Sequence, residues 1–365
     1  MLRIAACVML SLVACKRSEE VRPSEEVSSE RVHGEETVLH APEPWTLGVG
    51  RDRPPLPPPC ALRTDALRTV LPRETRFTNE RGTLGMLLAA EVSRTPEEHV
   101  DGAGVVSMTL GRAPFTAVPW PEHGNPRTAR DGDRWVLAWR ARVWRGQAVE
   151  PLGADLEPVD VFCSGGRCAL LASAAERDAR LFVGSIDEPV SAWRKVDLPP
   201  GRAQRLASLE GVMLLDDGEL VLVEGTTRKA ALAAPYGALD ALVARELVAA
   251  LPAGAPHCTA EAGGVVIASP TFHKRLRSSL PAGRATLSAL PGGLLVTWLA
   301  PNDCESGRKT LFASVIRDDG TPIGPVTAVG EASDYAVSSR GSAFDLWIVH
   351  DRTLSWAPGR CVLER

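Results

Sequence analysis

Short apolar runs recur along most of the chain, separated by polar segments. The seven runs are Leu84 to Val92, Trp135 to Trp139, Ala169 to Ala172, Val212 to Val223, Val265 to Ala268, Leu294 to Leu299, and Phe344 to Val349. Their starts lie on average about 43 residues apart, the length of a four-stranded propeller blade, although single intervals range from about 29 to about 50. We therefore expect an all-β, β-propeller-like body of about seven irregular blades, with tandem β-sandwiches as the alternative.

Alternating large apolar residues indicate which faces of these strands are buried. Trp135, Leu137 and Trp139 fall on one face of a strand. The same alternation occurs in two further sets, which are Leu294, Val296 and Trp298, and Phe344, Leu346 and Ile348. We expect these residues to form the core between blades rather than an aromatic ligand site.

Turn residues support the assignment of strands. Asp216-Asp217-Gly218 separates two halves of one apolar run, and Asp318-Asp319-Gly320 follows another run. Asp-Gly between apolar segments predicts a β-hairpin. One segment differs, because the apolar residues of 238–251 fit a helical face as well as a strand, so an inserted helix is the alternative there.

The N-terminus carries a different signal. Arg3 precedes an apolar run from Ile4 to Ala14 that stops at Cys15, and this run is too short to span a bilayer as a helix. Leu12-Val13-Ala14-Cys15 resembles the lipobox of bacterial lipoproteins. The resemblance implies a signal peptide over residues 1–14, cleavage before Cys15, and lipid chains on that cysteine. In this family an Asp directly after the cysteine favours the inner membrane, so Lys16 implies the outer membrane, with the body facing the periplasm or the surface.

After Cys15 the chain becomes polar. Residues 16–45 contain four basic and eight acidic side chains and almost no large apolar residue, so we expect residues 15–45 to form a lipidated, disordered tether. Five prolines between Pro54 and Pro59 predict a short polyproline II arm. The propeller-like domain is expected to occupy residues 46–365.

Six cysteines remain after Cys7 is removed with the signal and Cys15 is lipidated. They are Cys60, Cys163, Cys168, Cys258, Cys304 and Cys361. An even number in an exported protein indicates disulfides, and sequence alone allows fifteen connectivities. A bond between the first and last blades would close the ring, which favours Cys60–Cys361. Cys163 and Cys168 flank Ser-Gly-Gly-Arg and favour a local bond, which leaves Cys258 with Cys304. The alternative is that some are buried free thiols.

Charge and motifs exclude several functions. Residues 46–365 contain 36 basic and 37 acidic side chains, so the body has no basic excess for nucleic acid. Nucleophile-elbow, phosphate-loop and dinucleotide motifs are absent from the sequence. We assign no catalytic residue, no metal ligand and no cofactor. The weak metal candidates are Glu97, Glu98, His99, Asp101 and His257, the four turn aspartates are taken as turn formers, and the basic cluster His273, Lys274, Arg275 and Arg277 is taken as a solvated loop.

The body is similar in architecture to propeller-like lipoproteins of the bacterial outer membrane. It resembles less the propeller lipoprotein of the β-barrel assembly machinery, because the recurring Gly and Trp of that family's blade motif are missing. The anchor, the tether and the missing catalytic motifs favour a lipid-anchored, non-enzymatic binding or scaffold module for an envelope protein or glycan. The alternatives are an envelope glycan hydrolase with carboxylates converging in the propeller, and a purely structural role.

Overall fold

A computed structural model describes residues 126–363, apart from 147, 154, 176, 177, 255–262, 279, 306 and 352, together with short strands before residue 118. The chain divides into two compact units, Met1–Val38 and Leu39–Arg365, and every described residue belongs to the second. The predicted signal peptide, tether and polyproline arm lie outside the described residues. None of the described helical segments has the length and apolar character needed to cross a membrane.

The described residues form seven antiparallel sheets, and six of these consist of four consecutive strands. Three strands precede them in the chain, namely β1 (Gly48–Gly50), β2 (Cys60–Leu62) and β3 (Ala66–Val70). The first sheet contains β4 (Thr75–Asn79), β5 (Leu84–Val92), β6 (Val100–Met108) and β7 (Phe115–Ala117). The second contains β8 (Arg127–Asp131), β9 (Arg134–Trp139), β10 (Arg142–Trp144) and β11 (Val149–Pro151). The third contains β12 (Glu157–Ser164), β13 (Arg167–Ala175), β14 (Asp178–Ser185) and β15 (Arg194–Val196).

The remaining sheets continue this order. The fourth contains β16 (Arg202–Leu206), β17 (Gly211–Asp216), β18 (Glu219–Glu224) and β19 (Thr227–Ala233). The fifth contains β20 (Asp240–Val243), β21 (Leu247–Pro252), β22 (Val265–Ala268) and β23 (His273–Leu276). The sixth contains β24 (Arg284–Leu290), β25 (Gly293–Pro301), β26 (Lys309–Arg317) and β27 (Pro322–Glu331). The last three strands are β28 (Asp334–Arg340), β29 (Ala343–His350) and β30 (Thr353–Cys361).

The seventh sheet joins the two ends of the body, and we call it the closing sheet. Strands β28, β29 and β30 pair in sequence, and β30 then pairs on its free edge with both β3 and β2. The disulfide Cys60–Cys361 links β2 to β30 at a position where these two residues are also partners in the sheet. Because β28 also contacts β5 of the first sheet, the order of sheets closes into a ring. The fold is therefore a seven-bladed β-propeller, as the sequence predicts.

The first strand of each sheet lies innermost, and the buried core fills the spaces between neighbouring sheets. One cluster joins Trp298 and Val296 of the sixth sheet to Val265 and Ile267 of the fifth. Phe344, Leu346 and Ile348 pack against the sixth sheet, and Trp135, Leu137, Trp139 and Trp144 form a separate buried cluster on the second. The alternating aromatic residues are core, as predicted.

Each predicted apolar run falls in a different sheet. Five runs lie in the second strand of a sheet, Val212–Val223 covers most of the second and third strands of the fourth sheet, and Val265–Ala268 forms the third strand of the fifth sheet. These strands have neighbours on both edges, and Val265–Ala268 is buried throughout. A strand buried on both faces reads as a continuous apolar run.

One alternative and one expectation from the sequence are wrong. Residues 238–251 form no helix but the hairpin of β20 and β21, in which Val243 pairs with Leu247. Its apolar residues are spaced for burial between two sheets, and this burial overrides any helical period. The basic segment His273–Leu276 is not a loop either, because it forms the edge strand β23, with Leu276 buried. The only helical segment among the described residues is a 3₁₀ turn at Val190–Ala192.

Candidate functional site in the central cavity

The innermost strands enclose a polar cavity of about 220 Å³, which we call the central cavity. It is lined by residues from strands of the second to the seventh sheets. The lining residues with charged or polar side chains are Arg127, Asp160, Gln204, Arg205, Asp240, Arg284 and Thr286. Six of the seven sheets thus contribute residues to one site, because their innermost strands surround the same cavity.

Asp240 shows how a carboxylate is used in this cavity. Its side chain is only 4% exposed. Oδ1 accepts a hydrogen bond from the backbone N–H of Ala241 (2.8 Å), and Oδ2 accepts one from the N–H of Leu287 in the sixth sheet (2.7 Å). Arg205 of the fourth sheet forms an ion pair with the same carboxylate. Asp240 therefore bridges three successive sheets.

Aspartates that accept hydrogen bonds from backbone N–H groups recur on alternate sheets. Oδ1 of Asp160 accepts from the N–H of Val161 (2.9 Å), and Oδ2 accepts from the N–H of Leu206 on the fourth sheet (2.9 Å). Oδ1 of Asp334 accepts from the N–H of Tyr335 (2.8 Å). Charge-assisted hydrogen bonds from backbone N–H groups stabilise all three carboxylates, of which Asp240 is buried and the other two are half-buried. The bonds to Leu206 and Leu287 make Asp160 and Asp240 links between neighbouring sheets.

Arginines complete two of these links. Arg205 pairs with Asp240, and Arg284 pairs with Asp334 of the following sheet. The Arg284 guanidinium also lies 5.0 Å from the ring centroid of Tyr335, whose hydroxyl donates a hydrogen bond to the carbonyl of Thr297 (2.9 Å). Complete burial raises the pKa of Tyr335, so this hydroxyl stays protonated and acts as a donor.

Arg127 departs from this pattern. It lies on β8, the innermost strand of the second sheet, and lines the same cavity as Arg205 and Arg284. Its Nε is buried and has no hydrogen-bond partner among the described residues. The equivalent of the other two pairs would join Arg127 to Asp160 of the following sheet, but no ion pair of Arg127 is present among the described residues.

The sequence-predicted site residues have different outcomes. Cys60–Cys361 and Cys163–Cys168 are disulfides in the structure, and the second pair lies opposite in the hairpin of β12 and β13. Cys304 is also in a disulfide, and Cys258, its predicted partner, lies outside the described residues. The lipidation candidate Cys15 lies outside them as well, as do Glu97, Glu98, His99 and His257, whereas Asp101 lies on β6.

The turn aspartates are found where the sequence places them. Asp217 and Gly218 have positive φ angles of 45° and 79° between the paired residues Asp216 and Glu219, which is a two-residue hairpin turn. Asp319 lies between β26 and β27, where its Oδ1 accepts from the N–H of Thr321 (2.9 Å). No group of three or more His, Cys, Asp or Glu side chains positioned to hold a metal ion occurs in the part of the chain that the structure describes.

Carboxylates with a shifted pKa lie at the surface. The hydrogen bond from Arg180 lowers the pKa of Asp178, and the backbone N–H of Thr321 lowers that of Asp319. Neither residue lines the central cavity. A lowered pKa suits a carboxylate that stays ionised, whereas a general acid needs a raised one.

No family model and no curated protein matches this sequence. Solved structures that are similar include BBS1N in complex with ARL6DN, with a TM-score of 0.48 and 8% identity over 79% of this chain and 92% of that one. A gluconolactonase from Xanthomonas campestris has a TM-score of 0.35 and 13% identity over 86% and 99% of the two chains. A subtype N11 neuraminidase-like protein of a flat-faced-bat isolate from Peru has a TM-score of 0.34 and 9% identity over 87% and 96%.

Proposed function

We propose that this protein is a lipid-anchored envelope protein, held at the outer membrane through Cys15, whose propeller is a non-enzymatic binding or scaffold module for an envelope protein or glycan. The anchoring half of this proposal is supported by the apolar run Ile4–Ala14 followed by Leu12-Val13-Ala14-Cys15 in the sequence. Two or more acyl chains are enough to hold a protein stably at a bilayer without a spanning helix.

The proposed non-enzymatic role is supported by one observation, which is that the carboxylates of the central cavity are already hydrogen-bonded within the protein. Both oxygens of Asp160 and Asp240 accept hydrogen bonds from backbone N–H groups, and Asp240 is also paired with Arg205. A general acid or nucleophile must present an oxygen to its substrate. These carboxylates instead join neighbouring sheets, which favours a rigid body that offers its rim and faces to a partner.

The anchor is tested by fractionating cells that express Cys15→Ala, with Cys7→Ala as the matched control in the same signal segment. We expect Cys15→Ala to move the protein from the membrane fraction to the soluble envelope fraction, and Cys7→Ala to leave it in the membrane. Membrane retention of Cys15→Ala would show that lipid on this residue is not the anchor.

The binding role is tested by site-specific photo-crosslinking in intact cells. Tyr236 (55% exposed) precedes β20 and Val243 (45% exposed) ends it, so these two side chains sample opposite ends of an innermost strand and hence opposite faces of the ring. A crosslinking amino acid at Val149 (41% exposed), on the outer strand β11, samples the rim.

We expect one of these three positions to capture a stoichiometric envelope component and the others to capture little. The hydrolase alternative would replace the binding role if none of the three positions captured a partner and the protein hydrolysed an envelope glycan in an activity that Asp160→Asn abolishes.

A further inference from the structure

The central cavity contains one arginine that the protein itself leaves incompletely satisfied. A guanidinium has five N–H donors, and buried donors without an acceptor cost free energy. Nε of Arg127 is such a donor within the described residues. Because Nε itself is buried, an acceptor that enters the cavity would bind the terminal nitrogens of this guanidinium, which form no ion pair among the described residues.

Two arginines in the same cavity provide an internal comparison. Arg205 is paired with Asp240 and Arg284 with Asp334, so each is held by a carboxylate of the following sheet. No ion pair of Arg127 is found in the described part of the chain. The two paired arginines therefore belong to the links between sheets, whereas Arg127 presents its guanidinium without such a link.

The size of the cavity limits what can enter. Drug-sized ligands occupy pockets of about 300 to 1,000 Å³, and this cavity measures about 220 Å³. A peptide strand or an oligosaccharide is too large to be enclosed here. A single sugar or a short organic acid fits this volume. Gln204 and Thr286 also line the cavity and offer polar groups to hydroxyls of such a ligand.

The charges limit the chemistry further. Three aspartates, Asp160, Asp240 and Asp334, lie at the inner edges of the sheets and balance the three arginines. A dianionic phosphate would add two negative charges beside these carboxylates, whereas a carboxylate adds one. A carboxylate also matches the planar fork of a guanidinium, which binds it through two parallel N–H···O bonds.

We propose that the central cavity is a binding site for a small carboxylate-bearing molecule, no larger than a single sugar acid, and that Arg127 is its anchor. The site is independent of the partner surface proposed for the rim and faces. The ligand would bind reversibly inside the ring.

The test is isothermal titration calorimetry on the purified full chain in detergent. The probes are sodium D-glucuronate, D-glucose as the neutral analogue with the same ring, sodium succinate, and inorganic phosphate. We expect at least one of the two carboxylates to bind with a Kd of about 1 mM or tighter, and D-glucose not to bind measurably. Phosphate is expected to bind more weakly than the better carboxylate.

Arg127→Gln should weaken that binding at least about tenfold, and Arg127→Lys should weaken it as well because an ammonium lacks the planar fork. The matched control is Arg228→Gln, which removes an exposed arginine paired with Glu219 on the fourth sheet and should leave binding unchanged. Since Arg127 forms no ion pair with any residue that the structure describes, Arg127→Gln should unfold at the same urea concentration as the wild type, which separates lost binding from lost structure.

The proposal is overturned if neither carboxylate binds the wild type, if Arg127→Gln binds as tightly as the wild type, or if D-glucose binds as well as D-glucuronate. Crosslinking of an envelope partner in Arg127→Gln cells reports on the proposed function separately. If Arg127→Gln loses ligand binding but still crosslinks to the partner, both proposals are supported. If Arg127→Gln still binds the ligand but no longer crosslinks, only the proposal of a ligand site at Arg127 is overturned.

Discussion

The closing sheet and the other six sheets reach the same architecture in different ways. Each of the six is made of consecutive strands joined by hairpins, so its pairing is local in sequence. In the closing sheet, β2 and β3 meet β30 from the opposite end of the body, and Cys60 and Cys361 are 301 residues apart. Pairing of that kind carries the entropy of closing a long loop. The difference teaches that the Cys60–Cys361 disulfide joins strands that are distant in the chain, whereas the Cys163–Cys168 disulfide lies within one local hairpin.

The Cys60–Cys361 and Cys163–Cys168 disulfides make this contrast quantitative. In the chain-entropy model, a cross-link over 301 residues stabilises the folded state by about 5.7 kcal/mol, and one over 5 residues by about 2 kcal/mol. The same type of bond is thus expected to matter far more in the closing sheet than in the hairpin of β12 and β13.

The largest expected effect is therefore that of Cys60→Ser combined with Cys361→Ser. We expect the free energy of unfolding to fall by up to about 5.7 kcal/mol. We also expect the urea m-value to rise, because the unfolded chain without this cross-link is more expanded. Urea unfolding followed by tryptophan fluorescence measures both quantities. An unchanged transition would mean that strand pairing alone closes the ring.

The second effect concerns a junction between sheets that has no covalent bond. Asp240→Ala leaves Arg205 and the N–H groups of Ala241 and Leu287 without their acceptor, and breaking a buried ion pair of this kind costs about 3 kcal/mol or more. The matched control is Asp187→Ala, which removes a 73%-exposed partner of Arg134 and should cost at most about 1 kcal/mol. Equal losses in the two variants would contradict the linking role of Asp240.

The third effect is that of Cys163→Ser combined with Cys168→Ser. We expect a loss of about 2 kcal/mol or less, since the Gly165-Gly166 turn and the strand pairing already hold this hairpin. Urea unfolding of this variant and of the Cys60 and Cys361 variant under the same conditions gives the ratio of the two losses in unfolding free energy. A larger loss here than in the closing sheet would reverse the comparison.

The smallest effect is at a turn within one sheet. The N–H of Thr321 holds the pKa of Asp319 below the ordinary value for an aspartate, 3.8. A carboxyl whose folded-state pKa is lowered contributes stability at pH values above its unfolded pKa, and this contribution is lost as the pH falls through the folded pKa. We expect a carbon-13 NMR titration of the Asp319 carboxyl to have its midpoint below 3.8. In Thr321→Pro, which lacks the N–H, the midpoint should rise.

The sequence predicts the parts of this fold that are buried on both faces. The runs Leu84–Val92 and Val265–Ala268 coincide with whole strands. Val265–Ala268 is buried throughout, and a strand packed on both faces favours apolar residues. Turn chemistry was equally informative at Asp217 and Gly218. The hairpin at 238–251 could not be separated from a helix, since its apolar spacing serves contacts with neighbouring sheets that local sequence does not reveal.

The innermost strands, and with them the candidate site, were missed. Strands such as β8 and β16 mix arginine with apolar residues because one face lines the polar cavity. One signal was present in the sequence, since Arg127, Arg205 and Arg284 recur at intervals of 78 and 79 residues, about twice the length of a blade. The unsatisfied Nε of Arg127 could not be predicted, because it depends on which acceptors the neighbouring sheets place within its reach.

The bond between Cys60 and Cys361 also makes the body a covalent loop. A pull on the segment before Cys60 passes to Cys361 through one sulfur–sulfur bond and does not load the hydrogen bonds between β2 and β30. The chain between these cysteines therefore cannot be drawn out from its ends. A single proteolytic cut anywhere within it leaves two fragments that remain one molecule, so the body resists both unravelling under tension and loss of a piece after nicking.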